Sequence, residues 1–408
     1  MTPVRTVADV VKDFPTLQGQ CDEEADALVG ATIKVGLDPA DALQEFGQFM
    51  RTVSRDPARQ DDKDLNDFLM GGPDIAATPE DKDRIRTAQQ FFEDNGVAII
   101  SALFYKALPE AYLGRRGVQV LDLTGELFSD FRRRIAETGR FLLNVLTPAL
   151  SPNGDATSLD PGQPGAIAVR RVRLIHAAIR RLIPRDEWQA RLRELGDPDA
   201  EPINQVDLLA TLTTFTTMTF EALELLGTQV GDAHKDAYHY LWRAVGEHLG
   251  IQPRNIPATP EEMAALTRHV REQLQGPTEQ GERMAKALVQ ELTYPLPRAL
   301  HLVTPFTIRY LIGDDMADSL GIEQGGYTEL LVRRSGLLAK VAEVTRKHQV
   351  SQVVVGAASD MLTRYTLRAF LAESRHSDRG LQIEPRIAAR WGIQIGPETR
   401  PPMFERPG

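Results

Sequence analysis

Residues 166–183 set Val169, Val172, His176, Ile179 and Ile183 at offsets of 0, 3, 7, 10 and 14. Side chains at that spacing share one face of an α-helix, so His176 points where its apolar neighbours point. The same period runs through most of the chain. Leu43, Phe46, Met50 and Val53 repeat at helical spacing behind Asp38-Pro39, an N-cap followed by proline at the first helical position. Thr78-Pro79-Glu80-Asp81 and Thr259-Pro260-Glu261-Glu262 repeat that opening chemistry, and Gly227 and Gly250 fall where helices should stop. Residues 122–148 read as one long amphipathic helix with Leu127, Phe131, Arg134, Thr138, Phe141 and Val145 along its inward stripe. The connection at 151–165 carries three prolines and three glycines and reads as a loop. Residues 208–220 contain no charge, with Asn204 as cap and Asp207 as its partner. Their threonines can hydrogen-bond back to their own helix. Such a helix is a central core element or one wall of an apolar pocket. The stretch 350–356, VSQVVVG, is the only short β-branched run of note. The expectation is an all-α protein.

Composition bounds the function. The 408 residues are 42% hydrophobic and 25% charged, enough to build a large core. A net charge of −10 argues against general nucleic-acid binding, which runs on phosphate neutralisation by Lys and Arg. One cysteine, Cys21, rules out an intrachain disulfide, a thiolate zinc site and a Cys-x-x-Cys-His haem attachment. The segment MTPVRTVADVVKDF has neither an apolar signal core nor a twin-arginine run. The longest strongly apolar stretch, 97–105, is far short of the roughly 20 residues that span a bilayer. The expectations are no transmembrane segment and a cytoplasmic location. The organisation reads as an N-terminal helical cap (1–75), a core (76–330) and a C-terminal helical extension and tail (331–408).

Arg173 and Arg180 lie three before and four after His176, beside it on nearly the same helix face. Taken alone, a histidine on an apolar stripe is most often a satisfied core residue. Two guanidinia flanking a buried imidazole, however, are costly unless an anion meets them. Haem satisfies all three: the imidazole binds iron and the arginines pair with propionate carboxylates. Arg134 and Thr138 repeat the oddity on the preceding helix. Either Arg134 snorkels outward, or the pair lines a site and orients a ligand or bound oxygen.

The pattern Arg134-x-x-x-Thr138, then Arg173-x-x-His176-x-x-x-Arg180, resembles the signature of the latex clearing protein (rubber oxygenase) family, which includes the fungal ER-bound oxygenases. Co-linear blocks at 104–127, 202–212, 236–251 and 309–322 extend the similarity to roughly residues 60–325. The resemblance implies a globin-like helical core, with additional N- and C-terminal helices here, that holds non-covalent haem b. His176 would be the proximal iron ligand. Arg173 and Arg180 would support haem and its helix, and Arg134 and Thr138 would form the polar pair near the site. The implied reaction is oxidative cleavage of isoprenoid double bonds by O₂. Where rubber oxygenases carry a lysine that can reach the distal iron position, this chain has Glu137. The family's distal glutamate base has Glu126 and Glu137 as candidates here, against the plainer reading of both as solvated carboxylates. A cytoplasmic member would take a small apolar, intracellular isoprenoid or alkene in place of rubber.

Two rival readings stand beside this one. Asp314-Asp315-Met316-Ala317-Asp318 matches the DDxxD pattern with which isoprenoid-diphosphate synthases hold Mg²⁺, although Gly313-Asp314-Asp315 also suits a helix start. A non-catalytic haem-binding or structural helical protein is the other. His-Glu-x-x-His and Gly-x-Ser-x-Gly motifs are missing, and the three tryptophans read as packing residues. Arg115 and Arg116 read as surface residues.

Overall fold

The computed structural model describes residues 5–33, 39–55, 62–73, 75–76, 78–125, 131–149, 156–197, 199–323, 348–374 and 383–393. The N-terminal helices are α1 (Val7–Lys12), α2 (Phe14–Gln18), α3 (Glu23–Thr32), α4 (Pro39–Val53) and α5 (Lys63–Met70). A long α6 (Pro79–Ala102) runs through a π-helical turn, Leu103–Ala107, into α7 (Leu108–Ala111). Then come α8 (Gly117–Leu123), α9 (Phe131–Leu146), α10 (Pro164–Leu182) and α11 (Arg185–Leu195). The chain continues through α12 (Gln205–Phe215), α13 (Thr217–Leu225), α14 (Asp232–His248), α15 (Pro260–Leu274) and α16 (Glu279–Thr293). It closes with α17 (Val303–Ile312), α18 (Asp314–Ser319), α19 (His348–Ser374) and α20 (Pro385–Arg390). Among the described residues no strand forms, and the one β-bridge joins Gly114 to Gln275. The fold is all-α.

Local chemistry sets the helix starts. Thr78 and Asp81 close a capping box ahead of Pro79, and Asn204 and Asp207 close another at α12. Each satisfies amide donors that a bare helix end would leave open. Thr259 caps α15 in the same manner. Gly227 and Gly250 adopt positive φ past helix ends, where a side chain would strain the backbone.

Two element readings need correction. The expected helix 122–148 divides: α8 ends at Leu123 and α9 begins at Phe131, with Glu126 and Leu127 outside the described residues. The uncharged helix breaks at Thr216, whose φ of −111° and ψ of −93° end α12 and start α13. There, Thr211, Thr213, Thr214 and Thr216 donate to their own helix carbonyls, as expected. The β-branched run 350–356 is helical, as the first turns of α19. Val355 is buried in the main core, so tertiary packing overrides the β propensity of valine.

The stripe on α10 proves to serve two cores. Val169 packs in the main core with α6, α12 and α14. Ile179 and Ile183 pack in a second cluster with residues of α3, α4 and α5, joined by Leu174, Ala177 and Ala178 from off the stripe. α10 therefore packs into both cores, and along its length His176 falls between Val169 in one and Ile179 in the other.

Candidate active site

α10 carries Arg170, Arg171, Arg173, Arg180 and Arg181, and the N-terminal helices meet them. Arg171 donates to the carbonyls of Val53 (2.8 Å) and Arg55 (2.8 Å) at the end of α4. Arg170 bonds the Phe68 carbonyl in α5 and stacks over the Phe68 ring at 4.1 Å. Arg181 bonds the carbonyl of Ile33, just past α3. These guanidinia cap carbonyls that helix ends leave open and sit at the favourable pole of each dipole. Arg173 pairs with both oxygens of Asp22 and with Glu24 (2.8 Å), and Arg180 pairs with Asp26 (2.9 Å). The anions beside His176 are thus carboxylates at the start of α3. Arg173 and Arg180 line an open cleft of about 1,120 Å³ with these acids, which does not include His176. Sequence reading placed the two arginines with His176, because helix spacing shows neighbours and not what a distant helix brings.

His176 fronts a different cavity, of about 390 Å³, which Arg134 and Thr138 also line. Leu103, Phe104, Ala107 and Leu108 of the π-turn and α7 form one wall. Thr211, Thr214 and Phe215 of α12 form another, so the uncharged helix is a pocket wall as well as a core element. Leu142 and Leu143 of α9 and Leu367 and Phe370 of α19 close it. Glu137 is not among the lining residues. Its charge bears on Arg134 from one turn along α9.

The imidazole of His176 is enclosed by protein but keeps accessible surface where it meets the cavity. Its Nδ1 is buried without a hydrogen-bond partner, a cost of about 1–3 kcal/mol for an ordinary polar group. Burial, helped by the Arg180 charge, pushes its pKa down to about 3. The ring is neutral near pH 7 and can offer a nitrogen lone pair. Burial also lowers the Arg134 pKa, while Tyr112 and Glu137 oppose that shift. Thr138 donates to the Arg134 carbonyl at 2.9 Å and is exposed at the cavity edge.

The profile of the family "ER-bound oxygenase mpaB/B'/Rubber oxygenase, catalytic domain" matches residues 93–342. The chain belongs to this family. It is 26% identical to the rubber oxygenase of Streptomyces sp. (strain K30) over 362 residues, covering 87% of this chain and 83% of that one. A solved structure of latex clearing protein in the closed state superposes with a TM-score of 0.60 at 20% identity, over 86% of this chain and 91% of that chain. The fold is shared at that level. Within this mpaB/rubber oxygenase family member, Arg134, Thr138 and His176 come together on one cavity, while Arg173, Arg180 and Glu137 lie off it.

Sequence reading missed Tyr112, which is buried and lines the cavity, where the Arg134 charge bears on its hydroxyl. It follows the four-residue α7, too short to show a period. The π-turn was equally silent, because one extra residue per turn leaves no mark in composition. It turns Lys106 away from the cavity to the Leu311 carbonyl (3.1 Å), Glu110 (3.2 Å) and Glu221 (3.3 Å). Arg116, expected at the surface, is buried and pairs with Asp197 (3.1 Å) and Asp207 (3.2 Å). In the DDMAD segment, Asp314 and Asp318 both pair with Arg309, at 2.7 and 2.8 Å, and Asp315 is exposed. Among the described residues no group of three His, Cys, Asp or Glu is arranged to hold a metal, and no helix is long and apolar enough to cross a membrane.

Proposed function

We propose that this chain is a haem b-dependent oxygenase that uses O₂ on a small, predominantly apolar alkene or isoprenoid. The observation that carries the reading is the neutral imidazole of His176, its Nδ1 unpartnered, facing a predominantly apolar cavity in a chain of an oxygenase family. The residues fit the group in kind. His176 would offer an imidazole nitrogen to the iron, the aromatic and aliphatic walls would suit a flat apolar macrocycle, and Arg134 would supply a cation among them. When bound, haem supplies the redox chemistry by which O₂ attacks a carbon–carbon double bond.

The protein's own part follows from its side chains. His176 would hold the haem iron, and its low pKa keeps the nitrogen unprotonated and able to do so. Phe104, Phe215 and Phe370 exclude water and strengthen every polar contact inside. Arg134 orients an oxygen-bearing group by charge, with Glu137 moderating that charge from outside. Thr138, its proton committed to the Arg134 carbonyl, offers an acceptor oxygen at the rim. Arg173 and Arg180 act through α10, fixing the helix that presents His176.

The test is the visible spectrum of the purified protein, oxidised and dithionite-reduced, beside His176→Ala. A b-type Soret band is expected in the wild type and should be lost in the variant. A colourless protein that also fails to take up added haem overturns the reading.

A further inference from the structure

A run of aromatic rings leads from the His176 cavity to the surface of the protein. Phe215 of α12 lines the cavity and stacks on Trp242 of α14, with ring centroids 4.3 Å apart and planes 13° from parallel. Trp242 meets Tyr238 edge-on at 6.2 Å. Tyr238 meets Phe91 of α6 at 5.8 Å, and Phe91 stacks on His234 at 5.4 Å. Trp242, Tyr238 and Phe91 are buried, and His234 is exposed. Aromatic pairs stabilise any core. This run also begins at the cavity that faces His176, and it contains an indole and a phenol, the aromatic side chains that give up an electron most readily. Two other rings compete with Trp242. Tyr112 lines the cavity itself, but oxidation of a phenol releases its proton, which burial holds on this one, and the Arg134 cation beside it opposes loss of an electron. Burial holds the Tyr238 proton in the same way. Trp391 stands behind Phe92, another wall residue, but meets it edge-on at 86°, where π faces overlap poorly. An indole can lose an electron and keep its N–H proton.

We propose that Trp242 is the one-electron donor that answers hydrogen peroxide in the His176 cavity and spares the cavity wall from oxidation. It rests on the preceding reading in taking haem as the group that meets the peroxide. The O–O bond breaks on uptake of two electrons and two solvent protons, giving two waters. One electron comes from the haem iron. The other comes from the Trp242 π system, which is left as a radical cation with its Nε1 proton in place. Phe215 is not itself oxidised; its stacked ring narrows the gap between cavity and indole. The rings of Tyr238, Phe91 and His234 continue to the surface, where a one-electron reductant of the ascorbate class restores the indole.

The test mixes the full chain, loaded with haem, with hydrogen peroxide and freezes the mixture for electron paramagnetic resonance. Parallel samples carry ring-deuterated tryptophan or ring-deuterated tyrosine. The expected result is a radical signal that narrows with labelled tryptophan alone, together with oxygen added to Trp242 in peptides mapped by mass spectrometry. Trp242→Phe should lose the signal while its Soret band matches the wild type, and Trp391→Phe should keep it. The peptide map of the wild type carries the test if Trp242→Phe does not fold. A signal narrowed by labelled tyrosine, oxygen on Trp391 in place of Trp242, or a signal that survives in Trp242→Phe overturns the proposal and leaves the oxygenase reading standing. So does a haem-loaded protein with neither signal nor modified Trp242, or equal oxidation of Trp242 in protein without haem. A chain that takes up no haem overturns both.

Discussion

Asp22 is the residue on which the His176 helix leans most heavily. It caps α3 through the Ala25 amide (3.2 Å) and also grips Arg173. Removing one member of so enclosed a pair leaves a charge stranded, at a cost of about 3–5 kcal/mol. Arg173→Met is therefore expected to lower the urea midpoint strongly, while folded protein still binds haem with an unshifted Soret band. A shifted band at unchanged stability would instead make Arg173 a cofactor contact. Gly250 lies against the same pair. With φ at +92°, a Cβ there would stand 2.7 Å from Asp22 Oδ2 and 2.9 Å from Arg173 Nε. Gly250→Ala combines backbone strain with a steric clash, and a thermal melt should show a loss of at least ~1 kcal/mol. Buried Arg116 follows the same logic: Arg116→Ala should destabilise the fold by stranding Asp207, which a surface arginine would not do.

At the scale of the element, α12 is wall and core at once, and its register starts at Asn204. The Asn204 side chain accepts from the amides of Val206 (2.9 Å) and Asp207 (3.1 Å). Asn204→Ala is expected to cost about 1 kcal/mol. Hydrogen exchange should speed up in the first turn of α12 before it does elsewhere in the helix; uniform exchange would show that the cap does not hold this end. α6 makes a comparable close fit with the C-terminal segment. A Cβ on Gly96 would lie 2.0 Å from the Trp391 ring, and Trp391 Nε1 donates to the Glu93 carbonyl at 3.1 Å. Glu93 and Arg386 pair across the same contact at 2.7 Å. The glycine sits mid-helix at some cost in propensity because the indole needs its space.

For the whole molecule, acid is the expected weakness. His239 and His248 are buried, and burial is the first cause of a pKa near 4 in each. Both rings are neutral in the folded state and take up protons in the unfolded chain below about 6.5. Their burial costs nothing in protonation above that value. Stability falls as pH drops from 6.5 toward 4, by on the order of 3 kcal/mol for each ring. Urea midpoints at pH 7 and pH 4.5 should differ accordingly, and the double variant His239→Gln, His248→Gln should reduce the slope to the share that His176, whose pKa is lower still, contributes. An unchanged slope would move the acid sensitivity to other groups.

Local chemistry, written in the sequence, determined the helices with strong starts and a clear period. Thr78, Asn204 and Thr259 cap where their neighbours predicted, and α10 runs close to its expected bounds. The same periodicity put Arg134, Thr138 and His176 on inward faces, and they share a cavity. Tertiary structure decided what those residues meet. Asp22, Glu24 and Asp26 lie some 150 positions from Arg173 and Arg180, a separation no helical period spans. Packing likewise turned 350–356 helical, sank Arg116 and brought Tyr112 beside Arg134. Side-chain spacing fixes a direction from the helix axis, but the partner in that direction depends on where the other helices come to rest.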